Sequence, residues 1–186
     1  MAGNMIYGIA GTFGSGKDTV AKHLAGEYNL LFISTSDMVR KVALEQKGSV
    51  ERPVLREVAT ELRNKYGGGI LAEKSLDEFY KSAEYKGVVV TGIRSLGEVK
   101  SITEAGGKII FVDADIKIRY ERMVQRARDQ ESLVSFEEFA KRENIESTGD
   151  SNEKSFNIMA ISKIADITLV NNKDIKELFY QVEKLV

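Results

Sequence analysis

Residues Gly11 to Thr19 read G-T-F-G-S-G-K-D-T, and no other stretch of the chain restricts its fold so tightly. The run fits G-x-x-x-x-G-K, a turn that cradles phosphates with backbone amides, up to the last position, where Asp18 replaces the usual Ser or Thr. Its flanks suit that use. An apolar run, Met5–Ala10, precedes it, and a helical pattern with Val20, Ala21 and Leu24 on one side follows. Glycines at 11, 14 and 16 let the chain turn tightly around an anion. Lys17 is placed to reach β- and γ-phosphates, and the start of the helix adds partial positive charge. Gly11, Thr12, Phe13, Gly14, Ser15, Gly16, Lys17, Asp18 and Thr19 are therefore expected to hold ATP, with Asp18 or Thr19 turned to its Mg2+. A carboxylate at 18 can serve a hard cation as a hydroxyl does. It can also simply cap the helix. Thr19 lies one position on, rotated by roughly 100° around the helix.

Composition narrows the class further. The 186 residues suit one domain with a real core. A net charge of −1 gives no support to a nucleic-acid-binding face. With no cysteine and a single histidine, His23, disulfides, thiolate chemistry and histidine-rich metal sites are excluded. No apolar stretch approaches about 18 residues, and the start lacks a basic segment followed by a long apolar one, so a cytoplasmic protein without membrane contact is expected.

Five apolar runs read as buried parallel strands: Met5–Ala10, Leu30–Ile33, Val88–Val90, Ile109–Val112 and Ile167–Val170. Helical patterns separate them. Leu55, Val58, Ala59, Leu62 and Tyr66 recur at helical spacing after Pro53, and Gly67 to Gly69 end that helix. Ser95 with Glu98, and Ser135 with Glu138, resemble capping boxes. Ile175, Leu178, Phe179 and Val182 form the inner stripe of a final helix. This alternation implies an α/β layered fold. Two segments interrupt it, 34–86 and 113–165. Both fall beyond carboxyl ends of strands, where open α/β sheets bind ligands, and they are candidates for an acceptor-binding insertion and a closing lid.

Several further residues can carry chemistry. Ile33 to Arg40 reads I-S-T-S-D-M-V-R, a strand end delivering hydroxyls to a helix with Arg40 one turn inside. Ser36 or Asp37 can cap that helix, and Arg40 can be a solvated residue. Gly92 permits close approach of a ligand, and Arg94 can offer a fork to phosphate oxygens or merely close a strand end. Lys117, Arg119, Arg122, Arg126 and Arg128 outnumber the lone acidic residue, Glu121, between 117 and 128. Such a run is usually a solvated face. Phosphoryl transfer, however, needs positive charge around the moving group, which makes Arg122, Arg126 and Arg128 candidate lid arginines and Arg142 a weaker one. Asp113 and Asp115 form a D-x-D after the fourth strand, with Asp115 better placed to cap the arginine helix than to bind metal. His23 is expected to be structural.

In order and spacing, these motifs resemble archaeal adenylate-kinase-related, dephospho-CoA-kinase-like members of the P-loop kinase group. The resemblance runs through G-x-x-G-S-G-K, S-x-D-M-V-R-K, L-R-x-x-Y-G-x-G at 62–69, G-I-R-S-L-x-E-V at 92–99, I-R-Y-E-R-M at 118–123 and A-D-x-x-x-x-N at 165–171. It implies a three-layer P-loop NTPase fold with a five-stranded parallel sheet of order 2-3-1-4-5. The 33–40 segment resembles that of adenylate kinases, which implies acceptor-phosphate contacts for Thr35 and Arg40, with Asp37 beside them. The 92–95 segment implies an acceptor grip by Gly92 and Arg94, and Asn171 would lie near the donor base. Thr91 stands where those relatives commonly have Asp. The S-G-K-D loop also resembles that of phage-type deoxynucleoside monophosphate kinases and animal-type phosphomevalonate kinases. The reaction implied is transfer from ATP to a small phosphorylated acceptor, a nucleoside monophosphate foremost, by a monomer or homodimer. Dephospho-CoA or a deoxynucleoside monophosphate as acceptor, a nucleotide-hydrolysing switch, and a non-catalytic sensor are the alternatives.

Overall fold

A computed structural model describes residues 5–126, 135–147 and 152–185. The strands are β1 (Met5–Gly11), β2 (Leu30–Ser34), β3 (Gly87–Ile93), β4 (Lys108–Asp113) and β5 (Ile167–Val170). Between and after them lie α1 (Lys17–Tyr28), α2 (Thr35–Lys47), α3 (Arg52–Tyr66), α4 (Ile70–Tyr80), α5 (Leu96–Glu104), α6 (Ile116–Arg126), α7 (Phe136–Ser147), α8 (Ile158–Ile164) and α9 (Ile175–Glu183). All strand pairs are parallel, in the order β2-β3-β1-β4-β5 that the resemblance implies.

Side-chain alternation explains why the central strands read as unbroken apolar runs. Ile6, Ala10, Val88, Val90, Ile109 and Phe111 point to one face, where they pack with Ala72, Leu76 and Phe79 of α4, Val99 and Ile102 of α5, and Ile158 and Ile161 of α8. Tyr7, Ile9, Val89, Ile110 and Val112 point to the other, against Val20, Ala21 and Leu24 of α1 and Leu178 and Val182 of α9. Both faces are covered, so neither set of positions can be polar. A satellite cluster of Val39, Ala43, Val58, Ala59 and Leu71 joins α2, α3 and α4 beyond the carboxyl end of β2.

Three local features differ from the sequence reading. β3 continues past Val90 through Thr91-Gly92-Ile93, because a bulge carries its pairing onward: Ile9 faces Thr91 and Ala10 faces Ile93, with Gly92 left out of register. The cap of α2 is Ser34, whose hydroxyl accepts from the Asp37 amide at 3.2 Å, so Ser36 and Asp37 fall inside the first turn. Ile175 and Tyr66 are each 53% exposed and drop out of the inner stripes of α9 and α3. Both serine cap signals hold. Ser95 and Glu98 form a full capping box on α5, and Ser135 accepts from the Glu138 amide before α7. His23 stacks on Phe179 at 3.8 Å, fastening α1 to α9.

Leu24 is fully buried on the α1 face that fixes the phosphate loop against the sheet. Leu24→Ala should cost about 2–5 kcal/mol. Urea unfolding should record it as a lower midpoint with an unchanged slope.

Candidate active site

The turn between β1 and α1 is braced from behind by residues of the β4 and β5 ends. The Thr12 hydroxyl donates to Asp113 Oδ1 at 2.8 Å, and the Thr12 amide to the Val112 carbonyl at 3.3 Å. Asn171 is buried, and its Nδ2 donates to the Ser15 carbonyl at 2.7 Å while its amide donates to the Asp113 carbonyl at 2.8 Å. Gly16, the cap of α1, sits at φ 95°, and a Cβ there would lie 2.5 Å from Asn171 Nδ2. Glycine is thus required at 16 on two counts, backbone conformation and close approach.

Arg122 Nη2 donates to the carbonyl of Asn171 at 2.9 Å and to its side-chain oxygen at 3.2 Å. Arg119 is buried, with Nε donating to the Ala114 carbonyl at 2.7 Å and Nη1 to the Phe13 carbonyl at 3.3 Å. Its guanidinium also pairs with Glu143 of α7. Arg119 is therefore neither a solvated surface residue nor a phosphate clamp in this state. It ties the phosphate loop to α6 and α7. Arg126 closes α6, and Arg128 lies outside the described residues. Asp115 caps α6, its Oδ1 accepting from the Lys117 amide at 2.9 Å, while Asp113 serves the loop brace.

On the open side of the loop, Lys17 Nζ lies 3.5 Å from Asp18 Oδ1, and the Thr91 hydroxyl donates to the same oxygen at 2.8 Å. Thr91 is buried, and the Asp18 side chain is 45% exposed. Thr19 continues the helix, its amide donating to the Gly16 carbonyl at 3.0 Å.

Beside the loop, toward α2 and α3, lies a cavity of about 160 Å³. Arg40, Arg52, Arg56, Arg63 and Arg94 line it, with Thr35, Ser36, Phe13 and Phe156 and a floor that includes Val39, Leu55, Ala59 and Leu71. The family resemblance singled out Thr35, Arg40 and Arg94, and the fold brings these together around one cavity. Asp37 is instead an exposed partner of Arg40, with Nε to Oδ1 at 4.0 Å. The Thr35 hydroxyl donates to the Gly92 carbonyl at 2.9 Å. Gly92 sits at φ 89°, and a Cβ there would lie 2.5 Å from that hydroxyl, so the bulge and the helix start fit only around glycine.

Arg52, Arg63 and Phe156 were not legible as site residues. Arg52 lies over the Phe13 ring at 5.0 Å. Phe156 has Arg63 at 4.5 Å and Arg94 at 5.7 Å from its ring centre. An isolated aromatic in Ser155-Phe156-Asn157 carries no periodicity to betray it. Arg63 did sit in the L-R-x-x-Y-G motif, but its burial depends on a distant partner, Glu98. Arg63 Nη2 meets Glu98 Oε1 at 2.7 Å, and Arg63 Nη1 is buried with no hydrogen-bond partner. Glu98 Oε2 accepts from the amides of Arg94 at 2.7 Å and Ser95 at 3.2 Å. One carboxylate therefore sets both the Arg94 backbone and the Arg63 side chain.

The residues present fit a metal-bound triphosphate. Ser15 Oγ is fully buried in the loop without a hydrogen-bond partner, as a group awaiting a phosphate oxygen would be. Asp18 supplies a half-exposed carboxylate, a hard oxygen donor, and the buried Thr91 hydroxyl donates to it. Among the described residues no group of three or more His, Cys, Asp or Glu side chains gathers into a metal cage.

A family model described as an AAA domain matches residues 8–148. The chain is 30% identical over 182 residues to the UPF0200 protein of Methanococcus maripaludis, across 96% of this chain and 93% of the relative. It is an AAA-domain protein of the UPF0200 family. Among solved structures, this UPF0200 chain is similar to the shikimate kinase of Acinetobacter baumannii, solved in complex with shikimate, with a TM-score of 0.56 and 16% identity over 99% of this chain and 93% of that one. It is also similar to a gluconokinase of Sinorhizobium meliloti, with a TM-score of 0.53 and 15% identity over 96% of this chain and 89% of that one. At these identities the likeness is one of fold, that of P-loop kinases. No helix among the described residues is long and apolar enough to cross a membrane.

Glu98→Ala strands the Arg63 charge in the interior and should cost about 3–5 kcal/mol. Glu98→Gln, which keeps an acceptor for the two amides, should fall between that variant and the parent in urea unfolding.

Proposed function

We propose that this UPF0200 protein is an ATP-dependent phosphotransferase that moves the γ-phosphoryl group to a small phosphorylated acceptor, a nucleoside monophosphate in an adenylate-kinase-like reaction. The observation that carries this reading is the arginine-lined cavity opening beside the phosphate loop. A loop with Lys17 accounts for nucleotide binding alone. Five arginines around one adjacent hollow answer a second anion. A phosphate group suits the forks of Arg40 and Arg94, and Phe13 and Phe156 add apolar wall for the organic part attached to it.

In this reading Gly11–Lys17 hold the triphosphate and Lys17 neutralises its β- and γ-oxygens. Asp18 would hold the Mg2+ of the nucleotide, and that ion would supply charge withdrawal from the transferring group. Arg94, with its backbone fixed by Glu98, orients the acceptor phosphate so that its oxygen meets the γ-phosphorus in line. Arg126 and Arg128 would complete the charge around the moving group when the 113–165 segment closes and excludes water. The 34–86 segment is the acceptor-binding insertion. A cytoplasmic setting fits such small-molecule chemistry.

Product formation from ATP with AMP, dCMP, dTMP, dGMP and dephospho-CoA, measured side by side, tests the reading. At least one nucleoside monophosphate should be phosphorylated, and Arg94→Ala should lower kcat/KM for it by about 10²-fold with ATP affinity little changed. Hydrolysis of ATP without any phosphorylated product would favour a switch. Undiminished turnover in Arg94→Ala would remove that residue from the acceptor site.

A further inference from the structure

Two departures in the sequence, an acidic residue after Lys17 and a hydroxyl residue near the end of β3, prove to be one feature. In nucleotide loops of this class the hydroxyl that follows the lysine and an aspartate from a neighbouring strand together hold the Mg2+. Here the residue types stand the other way round. Asp18 follows the lysine, Thr91 lies two residues before the end of β3, the strand beside β1, and the Thr91 hydroxyl donates to Asp18 Oδ1 at 2.8 Å.

We propose that the hydroxyl–carboxylate pair of the phosphate site is exchanged between helix and strand, so that Asp18 presents the carboxylate to the metal of a metal–triphosphate and Thr91 holds that carboxylate in place. The chemistry of the pair explains why both positions depart together. Two hydroxyls would offer no negative charge to a cation. Two carboxylates at this separation would repel, and one would have to take up a proton. Only one of each type gives a satisfied hydrogen bond and one anionic oxygen centre. The rest of the geometry agrees. Thr91 is buried and cannot itself meet a hydrated ion, whereas the Asp18 side chain is 45% exposed. Asp18 also lies 3.5 Å from Lys17 Nζ, beside the groups expected to receive the β- and γ-phosphates. Thr91 is then a positioning residue, and Asp18 is the residue that distinguishes metal-bound from bare nucleotide. A carboxylate there repels a metal-free triphosphate and attracts a metal-bearing one.

This inference rests on the nucleotide-binding part of the proposed function and is independent of acceptor and turnover. Its test is equilibrium binding of the β,γ-imido analogue of ATP, with and without Mg2+, in the absence of acceptor. In the parent protein Mg2+ should tighten binding by about tenfold or more, within the usual range for coupled ligands. Asp18→Asn should bind the metal-free analogue at least as well as the parent and lose most of the Mg2+ enhancement. Thr91→Val should reduce the enhancement and Thr91→Ser restore it. Asp18→Ser and Thr91→Asp should each impair Mg2+ enhancement or ligand-free thermal stability, and the double variant Asp18→Ser/Thr91→Asp should recover both. If Thr91→Asp does not fold, the Thr91→Val and Thr91→Ser pair decides. Equal weakening of bare and metal-bound analogue by Asp18→Asn, or a double variant no better than its worse single, overturns the proposal. A parent that binds the analogue with no preference for Mg2+ overturns it alone. A parent that binds neither form removes the kinase reading as well.

Discussion

The buried carboxylate of Glu98 is the constraint around which the arginine-lined cavity is organised. A charge this deep is tolerated only when it is paired and hydrogen-bonded, and Glu98 has an arginine on one oxygen and two backbone amides on the other. The partners come from separate parts of the chain. Arg63 belongs to α3, while Arg94 and Ser95 form the turn that leaves the sheet. The Ser95 hydroxyl donates in turn to the Gly68 carbonyl at 2.9 Å. The helix cap, the end of α3 and the turn bearing Arg94 are therefore one hydrogen-bonded unit. The wall of the cavity holds its shape because the core beneath it contains an ion.

The donor side obeys a different rule. There the loop is held by hydrogen bonds from β4, the end of β5 and α6: Asp113 accepts from the Thr12 hydroxyl, while Asn171 and Arg119 donate to the Ser15 and Phe13 carbonyls that the tight turn would otherwise leave unpaired. Asn171 is central: its side chain reaches the loop, its amide reaches β4, and its oxygens receive Arg122. A loop held this way meets a triphosphate with little reorganisation, which is what electrostatic stabilisation of a transferring group requires.

The sequence made the donor half legible and the acceptor half only partly so. The three central strands could be read because burial on both faces turns them into unbroken apolar runs, whereas the edge strand β5 buries only Leu169 and was read from its apolar residues alone. The loop could be read because its glycines and lysine are fixed by short-range geometry. Residues such as Phe156 and Arg52 act through spatial neighbours far along the chain, and neither has a pattern of its own. Arg119 misled for the same reason. Its helical spacing placed it with an arginine face, but the deciding contacts are with Phe13, Ala114 and Glu143. Asn171 was expected near the donor nucleotide, and what the fold shows of it is a brace behind the loop. The departures at 18 and 91 were each visible in one dimension, while their adjacency belongs to the pairing of β1 with β3.

Phe13 occupies a position that the loop motif leaves unspecified, yet its ring lies beneath Arg52 of α3 and 6.1 Å from Phe139 of α7. The tip of the loop is thus packed from both sides, by α3 and by α7. A small side chain at 13 would remove both contacts at once, so packing constrains a position that the motif leaves free.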